Sequence, residues 1–229
     1  MQTKQLTRVV TVAIIAWALQ SPSLHAQVEW YTYRAIEQDW QVELLVMPTG
    51  NRLTSPLFVS SFSIPGVSTL FQCCWNHRDV PILAEGGIQL QAYKWEDLLD
   101  DREVLTPPWY EKLSVDDELV TFTQRLEISG MDYRFIVKNI SSKTWGTIPG
   151  PYSVKRNYLL WVPPLELYNV QEIADNSGIV MGGNRFKRMT ILQTRFYNVN
   201  GVVVRTDPAR QLFPPTPGHP SYEFVTPSP

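Results

Sequence analysis

Strict alternation is the feature that most constrains this chain. Over residues 119–128, Val120, Phe122, Leu126 and Ile128 share one face of an extended segment, with Gln124 as the exception, while Thr121, Thr123, Arg125 and Glu127 take the other. Successive side chains of a strand point to opposite faces, so this period specifies a half-buried β-strand rather than a helix. The pattern resumes with Tyr133, Phe135 and Val137 against Arg134, Ile136 and Lys138. If the two segments form a hairpin with both apolar sets on one face, paired residue numbers must sum to an odd value, and the loop must have an even length. A two-residue turn at Ser129-Gly130 pairs Leu126 with Tyr133 and Phe122 with Val137, and a four-residue loop through Asp132 also satisfies the parity. The shorter turn is the expected one.

The same signature recurs along the chain. Asn200-Gly201 suits a type I′ turn between strands over 189–199 and 202–205. Apolar residues on both faces there, Tyr197 and Val199 against Leu192 and Phe196, predict a central or doubly covered pair. Further strands are expected over 28–34, 40–47, 57–63, 67–74, 88–93, 109–115 and 152–162, separated by Gly, Pro, Asn and Ser. Helix is scarce, with one or two turns at 95–101 and again at 167–174. About ten short strands with little helix predict an all-β fold, an antiparallel β-sandwich of immunoglobulin-like or jelly-roll-like type. Residues 133–145, Y-R-F-I-V-K-N-I-S-S-K-T-W, resemble the strand and turn of immunoglobulin-like bacterial surface domains. That resemblance covers thirteen residues, favours a sandwich and implies no activity.

Residues 1–26 read as a secretory signal peptide: Lys4 and Arg8 precede an apolar run from Val9 to Leu19, and a small residue, Ala26, ends the segment. The run is shorter than the roughly 20 residues a membrane helix needs, so no transmembrane anchor is expected. The mature protein is expected in the periplasm or outside the cell. Losing Lys4 and Arg8 moves the formal charge from −2 to −4, a balance that argues against a nucleic-acid partner, which calls for a basic stripe. Residues 27–207 show no composition break and read as a single sandwich domain. Seven of the 22 residues in 208–229 are Pro, which predicts a mobile, extended tail whose Phe213, Tyr222 and Phe224 are able to dock.

Cysteine use is unusual for an exported chain, because its two cysteines, Cys73 and Cys74, are neighbours. On a strand their side chains diverge to opposite faces, so no disulfide is expected and buried thiols are the simplest reading. Imidazoles are few after the leader, His77 and His219, which leaves C-W-N-H-R-D at 74–79 as the one local cluster of thiol, imidazole and carboxylate. It matches no nucleophile signature and reads as a polar loop. No zinc motif is present. Calcium draws on loop carboxylates, and Glu96, Asp97, Asp100, Asp101 and Glu103 crowd one stretch without EF-hand spacing, so no cofactor is expected and calcium at Asp97, Asp100, Asp101 and Glu103 is the weak alternative. Asp116, Asp117 and Glu118 read as a solvated turn. Glycoside hydrolysis needs two facing carboxyls, and Glu43, Glu85 and Glu127 sit in no motif that singles them out. Gly182-Gly183-Asn184 is a turn rather than a phosphate cradle. Asn139-Ile140-Ser141 is a glycosylation sequon that matters in a eukaryotic host.

Binding is better motivated than catalysis. Trp95, Trp109, Tyr110 and Trp145 fall at or beside expected turns, where flat rings next to polar groups offer stacking surfaces. The expected function is a non-catalytic binding or interaction module for a glycan or an extracellular or envelope protein. A structural or assembly component of the cell envelope is the second reading, and a secreted carbohydrate-active hydrolase the third.

Overall fold

A computed structural model describes residues 32–45, 56–64, 69–76, 87–94, 102–105, 113, 115–157 and 164–214. The expected leader, Trp95, Trp109, Tyr110, His77 and His219 lie outside the described residues. Thirteen strands form two antiparallel sheets, the all-β sandwich that the alternation predicts. They are β1 (Ala35–Leu44), β2 (Leu57–Ser63), β3 (Thr69–Trp75), β4 (Ile88–Lys94), β5 (Arg102–Leu105), β6 (Leu119–Ser129), β7 (Asp132–Ser142), β8 (Gly146–Ile148), β9 (Tyr152–Asn157), β10 (Gly178–Met181), β11 (Phe186–Tyr197), β12 (Val203–Asp207) and β13 (Arg210–Phe213). Among the described residues one short α-helix, α1 (Val170–Asp175), is capped by Asn169, whose Oδ1 accepts from the Gln171 N–H at 2.9 Å.

The larger sheet runs β12-β11-β1-β6-β7-β8, with β13 also on β11 and β9 also on β7; the smaller runs β10-β2-β3-β4-β5. Four of these strands were not expected: β5 and β10 of the smaller sheet, and β8 and β13, which arise because each edge of the larger sheet is split into two short pieces. On one edge the break falls at Pro208-Ala209, where proline supplies no N–H to a ladder. On the other it falls at Pro149-Gly150-Pro151, opposite Asn139 of β7, which is held at φ 54° where β7 shifts register against β6. Residues 210–213, expected in a mobile tail, are therefore a strand of the sandwich, and Phe213 packs edge-on against Phe186 at 6.4 Å.

The β6–β7 hairpin takes the longer of the two registers considered. Ser129 pairs with Asp132, Ile128 with Tyr133 and Leu126 with Phe135, so the turn is Gly130-Met131. Gly130 at φ 64° supplies the left-handed conformation that Ser129 is ill suited to adopt. The second hairpin also differs from expectation. Asn198 donates its N–H to the Val202 carbonyl at 2.9 Å and accepts from the Gly201 N–H at 3.0 Å, which makes Val199-Asn200-Gly201 a three-residue loop with Gly201 at φ 73°. Asn198 Oδ1 fixes that loop by accepting from the N–H groups of Asn200 and Val202, both at 3.0 Å. Within β11 a bulge skips Leu192, so Ile191 points inward and Leu192, expected to be covered with Phe196, is exposed.

The core lies between the sheets. Trp40 of β1 stacks on its cross-strand partner Phe122 of β6, Phe58 stacks on its partner Trp75 of β3, and Trp75 meets Phe122 across the sheets at a ring distance of 4.0 Å. A polar belt crosses this interior. Gln38 and Gln124 are cross-strand partners, both fully buried. Gln124 Nε2 donates to Gln38 Oε1 at 2.6 Å and to the Ser61 carbonyl of the opposite sheet at 3.0 Å, while Gln38 Nε2 donates to the Tyr168 hydroxyl at 2.7 Å. Gln124, the exception in the alternation, thus bonds one sheet to the other.

Several expected strands shift. The 40–47 segment begins earlier, at Ala35, and of 28–34 only residues 32–34 are described, none of them in a strand. In 109–115 only Leu113 and Val115 are described, neither in a strand. Glu118 is a correction to the solvated turn: Asp116 and Asp117 are exposed, but Glu118 is buried and accepts from the N–H groups of Leu119, Lys143 and Thr144 and from the Thr144 hydroxyl. That carboxylate ties the start of β6 to the β7–β8 turn.

Candidate interaction surface

The outward face of the larger sheet is built by the odd-numbered residues of β1, Glu37, Asp39, Gln41 and Glu43, because their even-numbered neighbours are committed to the core. Register places Glu37 between Arg125 of β6 and Arg195 of β11, and Asp39 between Thr123 and Gln193. Arg195 binds both acids, donating to Glu37 Oε1 at 2.8 Å and to the two Asp39 oxygens at 2.6 and 2.9 Å. Glu37 also accepts from the Tyr197 hydroxyl at 3.0 Å and pairs with Lys138 Nζ at 2.7 Å. Asp39 accepts from Thr123 Oγ1 and Gln193 Nε2 at 2.9 and 2.8 Å. The Arg125 guanidinium lies over the Tyr197 ring, 4.6 Å from its centre.

Burial pushes the Glu37 carboxyl up, but hydrogen bonds from Lys138 and Arg195 outweigh it and hold the group below its ordinary value. Asp39 behaves likewise: burial raises it, and hydrogen bonds from Arg195, Gln193 and Thr123 bring it lower than usual. The hydrogen bond to Asp39 in turn raises Arg195 well above its ordinary value. Two carboxyls that both stay ionised do not make the acid and base pair, pushed apart in affinity for a proton, that glycoside hydrolysis uses. This cluster is suited to fixing four strands and to presenting a rigid polar face.

The polar face runs into an apolar edge. Tyr197, whose hydroxyl donates to Glu37, has Val203 of β12 as its cross-strand partner. Val199, Val202, Val203 and Val204 are 52, 56, 42 and 48 % exposed, and β12 ends the sheet. Sheet edges usually carry charge, proline or a bulge that discourages pairing. Here Arg205, Asp207 and Pro208 come after the valines, and a bulge that skips Val204 falls among them.

Of the aromatic residues expected to bind, Trp145 alone is described. It is partly exposed in the β7–β8 turn, its N–H donating to Ser142 Oγ at 2.8 Å. Trp40 and Trp75 are fully buried. Among the calcium candidates, Asp97, Asp100 and Asp101 lie outside the described residues and Glu103 falls in β5 opposite Ala92. Among the described residues no three His, Cys, Asp or Glu side chains come together as a metal site. Cys73 and Cys74 are both thiols on opposite faces of β3, Cys73 buried among core residues and Cys74 partly exposed. Burial, and then the neighbouring Cys74, push the Cys73 thiol well above its ordinary value. Asn139 of the sequon is exposed, with its Nδ2 donating to Thr123 Oγ1 at 3.3 Å.

Sequence reading missed Glu37, Asp39 and the valine edge. The run Val202-Val203-Val204 was visible as a strand, but exposure depends on β12 being at a sheet edge, which no local pattern encodes. Among the described residues no helix is long and apolar enough to cross a membrane. Comparison with protein-family models, with curated proteins and with solved structures finds no match for this chain.

Proposed function

We propose that this protein is an exported, non-catalytic interaction module that recognises a protein partner through the β12 end of its larger sheet. The observation that carries the reading is the group of four exposed valines, Val203 and Val204 on the edge strand β12 and Val199 and Val202 in the hairpin loop that leads into it, continuous with a polar face held rigid by Glu37, Asp39 and Arg195. An edge strand offers main-chain groups for strand addition, and the valines supply apolar area beside them. Export rests on the leader-like residues 1–26. A protein partner fits this edge better than a glycan, because the edge is aliphatic and carries no stacking ring among its exposed residues Val199, Val202, Val203 and Val204.

A photo-crosslinking residue placed at Val203 of the full chain, in cells that normally make it, tests the reading. A discrete crosslinked product is expected at Val203 and none at Lys155, which is exposed on β9 at the opposite edge. Absence of any product at Val203 would sink the proposal.

A further inference from the structure

We propose that the partner of the β12 edge is a second copy of this chain, with the two β12 strands pairing antiparallel about a two-fold axis at Thr206. This rests on the interaction reading above and names its occupant. Most stable pairs of identical chains are two-fold, so the surface that forms them must complement itself. The β12 edge meets that demand residue by residue. In a pairing centred on Thr206, Arg205 faces Asp207 of the second copy and Asp207 faces its Arg205, which places two opposite-charge cross-strand pairs on one face of the joined sheet. Each residue already pairs with the other within its own chain, Arg205 Nη2 to Asp207 Oδ2 at 2.6 Å, so docking would close a ring of alternating charges. Beyond this centre the main-chain ladder stops, because Val204 is bulged and falls opposite Pro208 of the second copy, past the end of β12, and Val204 with Pro208 and Val203 with Ala209 add apolar side-chain contact alone.

The charged residues are available for this. The side chains of Arg205 and Asp207 are 49 and 28 % exposed, and the Arg205 guanidinium packs over Phe196 at 4.4 Å, which fixes its direction. Arg205 and Asp207, read as deterrents to pairing with an arbitrary strand, become the register marks for pairing with a copy, because the copy presents the opposite order of charge. Tyr197 lies one strand inward on β11 and Glu37 two strands inward on β1, so the polar face of each copy stands beside the joined edge.

The test is sedimentation and light scattering of the mature full chain over a wide micromolar range. Wild type is expected to pass from one chain to two as concentration rises. Arg205→Glu and Asp207→Arg should each stay single, since each puts like charges opposite one another, and an equimolar mixture of the two should recover the paired mass because every facing pair is then opposite in charge. Val203→Lys, at an exposed position, should also stay single, and it provides the reading if either charge variant loses its far-ultraviolet β signal. Wild type remaining a single chain throughout would overturn the proposal, and so would pairing that all three variants leave intact. A Val203 crosslink to a different protein would also remove the second copy as occupant while leaving the interaction reading in place; loss of any crosslink at Val203 removes both.

Discussion

Glu37 has a side chain 7 % exposed on a face whose neighbours reach solvent, and it remains charged there because Arg195, Lys138 and Tyr197 surround it with donors. Asp39 shares Arg195 and is held below its ordinary value for the same reason. The consequence for stability has a definite sign. A carboxyl whose folded value lies below its unfolded one, about 4 for these groups, contributes stability that is fully present above the unfolded value and is lost as pH falls through the folded one. Wild-type melting temperature should therefore fall on acidification below about pH 4. In Glu37→Gln combined with Asp39→Asn the melting temperature should be lower at neutral pH, yet flatter across that acid window. Thermal scans of both proteins at several pH values decide it, and parallel curves would show that these two carboxylates do not set the acid limit.

The β6–β7 hairpin and β1 show which elements could be read and which could not. Alternation put Phe122, Leu126, Tyr133 and Phe135 on one face, and they are all buried. Parity left two registers, and the choice between them turned on Gly130, whose φ of 64° fixes Gly130-Met131 as the turn. An added Cβ at Gly130 meets nothing within 4 Å, so Gly130→Ala tests conformation without crowding. It should cost about 1 kcal/mol by urea denaturation, with Gly130→Asn costing less because Asn tolerates the left-handed region. Equal stability of Gly130→Ala and wild type would contradict the assigned turn. β1 was read as starting at 40 because 35–39, A-I-E-Q-D, is too polar to look like a half-buried strand. Gln38 occupies an inward position there, and the groups that satisfy it, Gln124 and Tyr168, are 86 and 130 residues away. The same distance hid the surface: Glu37 and Asp39 became a cluster only when β11 and β6 flanked β1, and Leu192 became exposed only through a bulge that β1 imposes.

At the scale of the whole molecule, two sheets without a disulfide between them are held by a row of aromatic contacts, Phe58 on Phe186, Phe62 and Phe71 on Phe135, Phe71 on Tyr133 and Trp75 on Phe122, and by a polar crossing beside the last of these. Phe122 touches Trp40 within its own sheet and Trp75 of the other, and two residues along β6 Gln124 reaches the Ser61 carbonyl. Phe122 is 2 % exposed and flanked by two indoles, both fully buried, which have little freedom to collapse into a void. Phe122→Ala removes one of the aromatic contacts between the sheets as well as the transfer energy of the ring, and the expected loss is about 3–5 kcal/mol. For a domain of this size that corresponds to a fall in melting temperature on the order of 10 °C. Gln124→Leu deprives the Ser61 carbonyl of its donor and should cost roughly 1–3 kcal/mol. Because both residues act where the sheets meet, the double variant should depart from additivity, whereas Leu192→Ala, exposed on the bulge, should change stability by no more than about 0.5 kcal/mol. Urea titration of the three single variants and the double variant is the measurement. A loss below about 1 kcal/mol for Phe122→Ala would mean that the Phe122–Trp75 contact adds little to what the other inter-sheet aromatic contacts hold together.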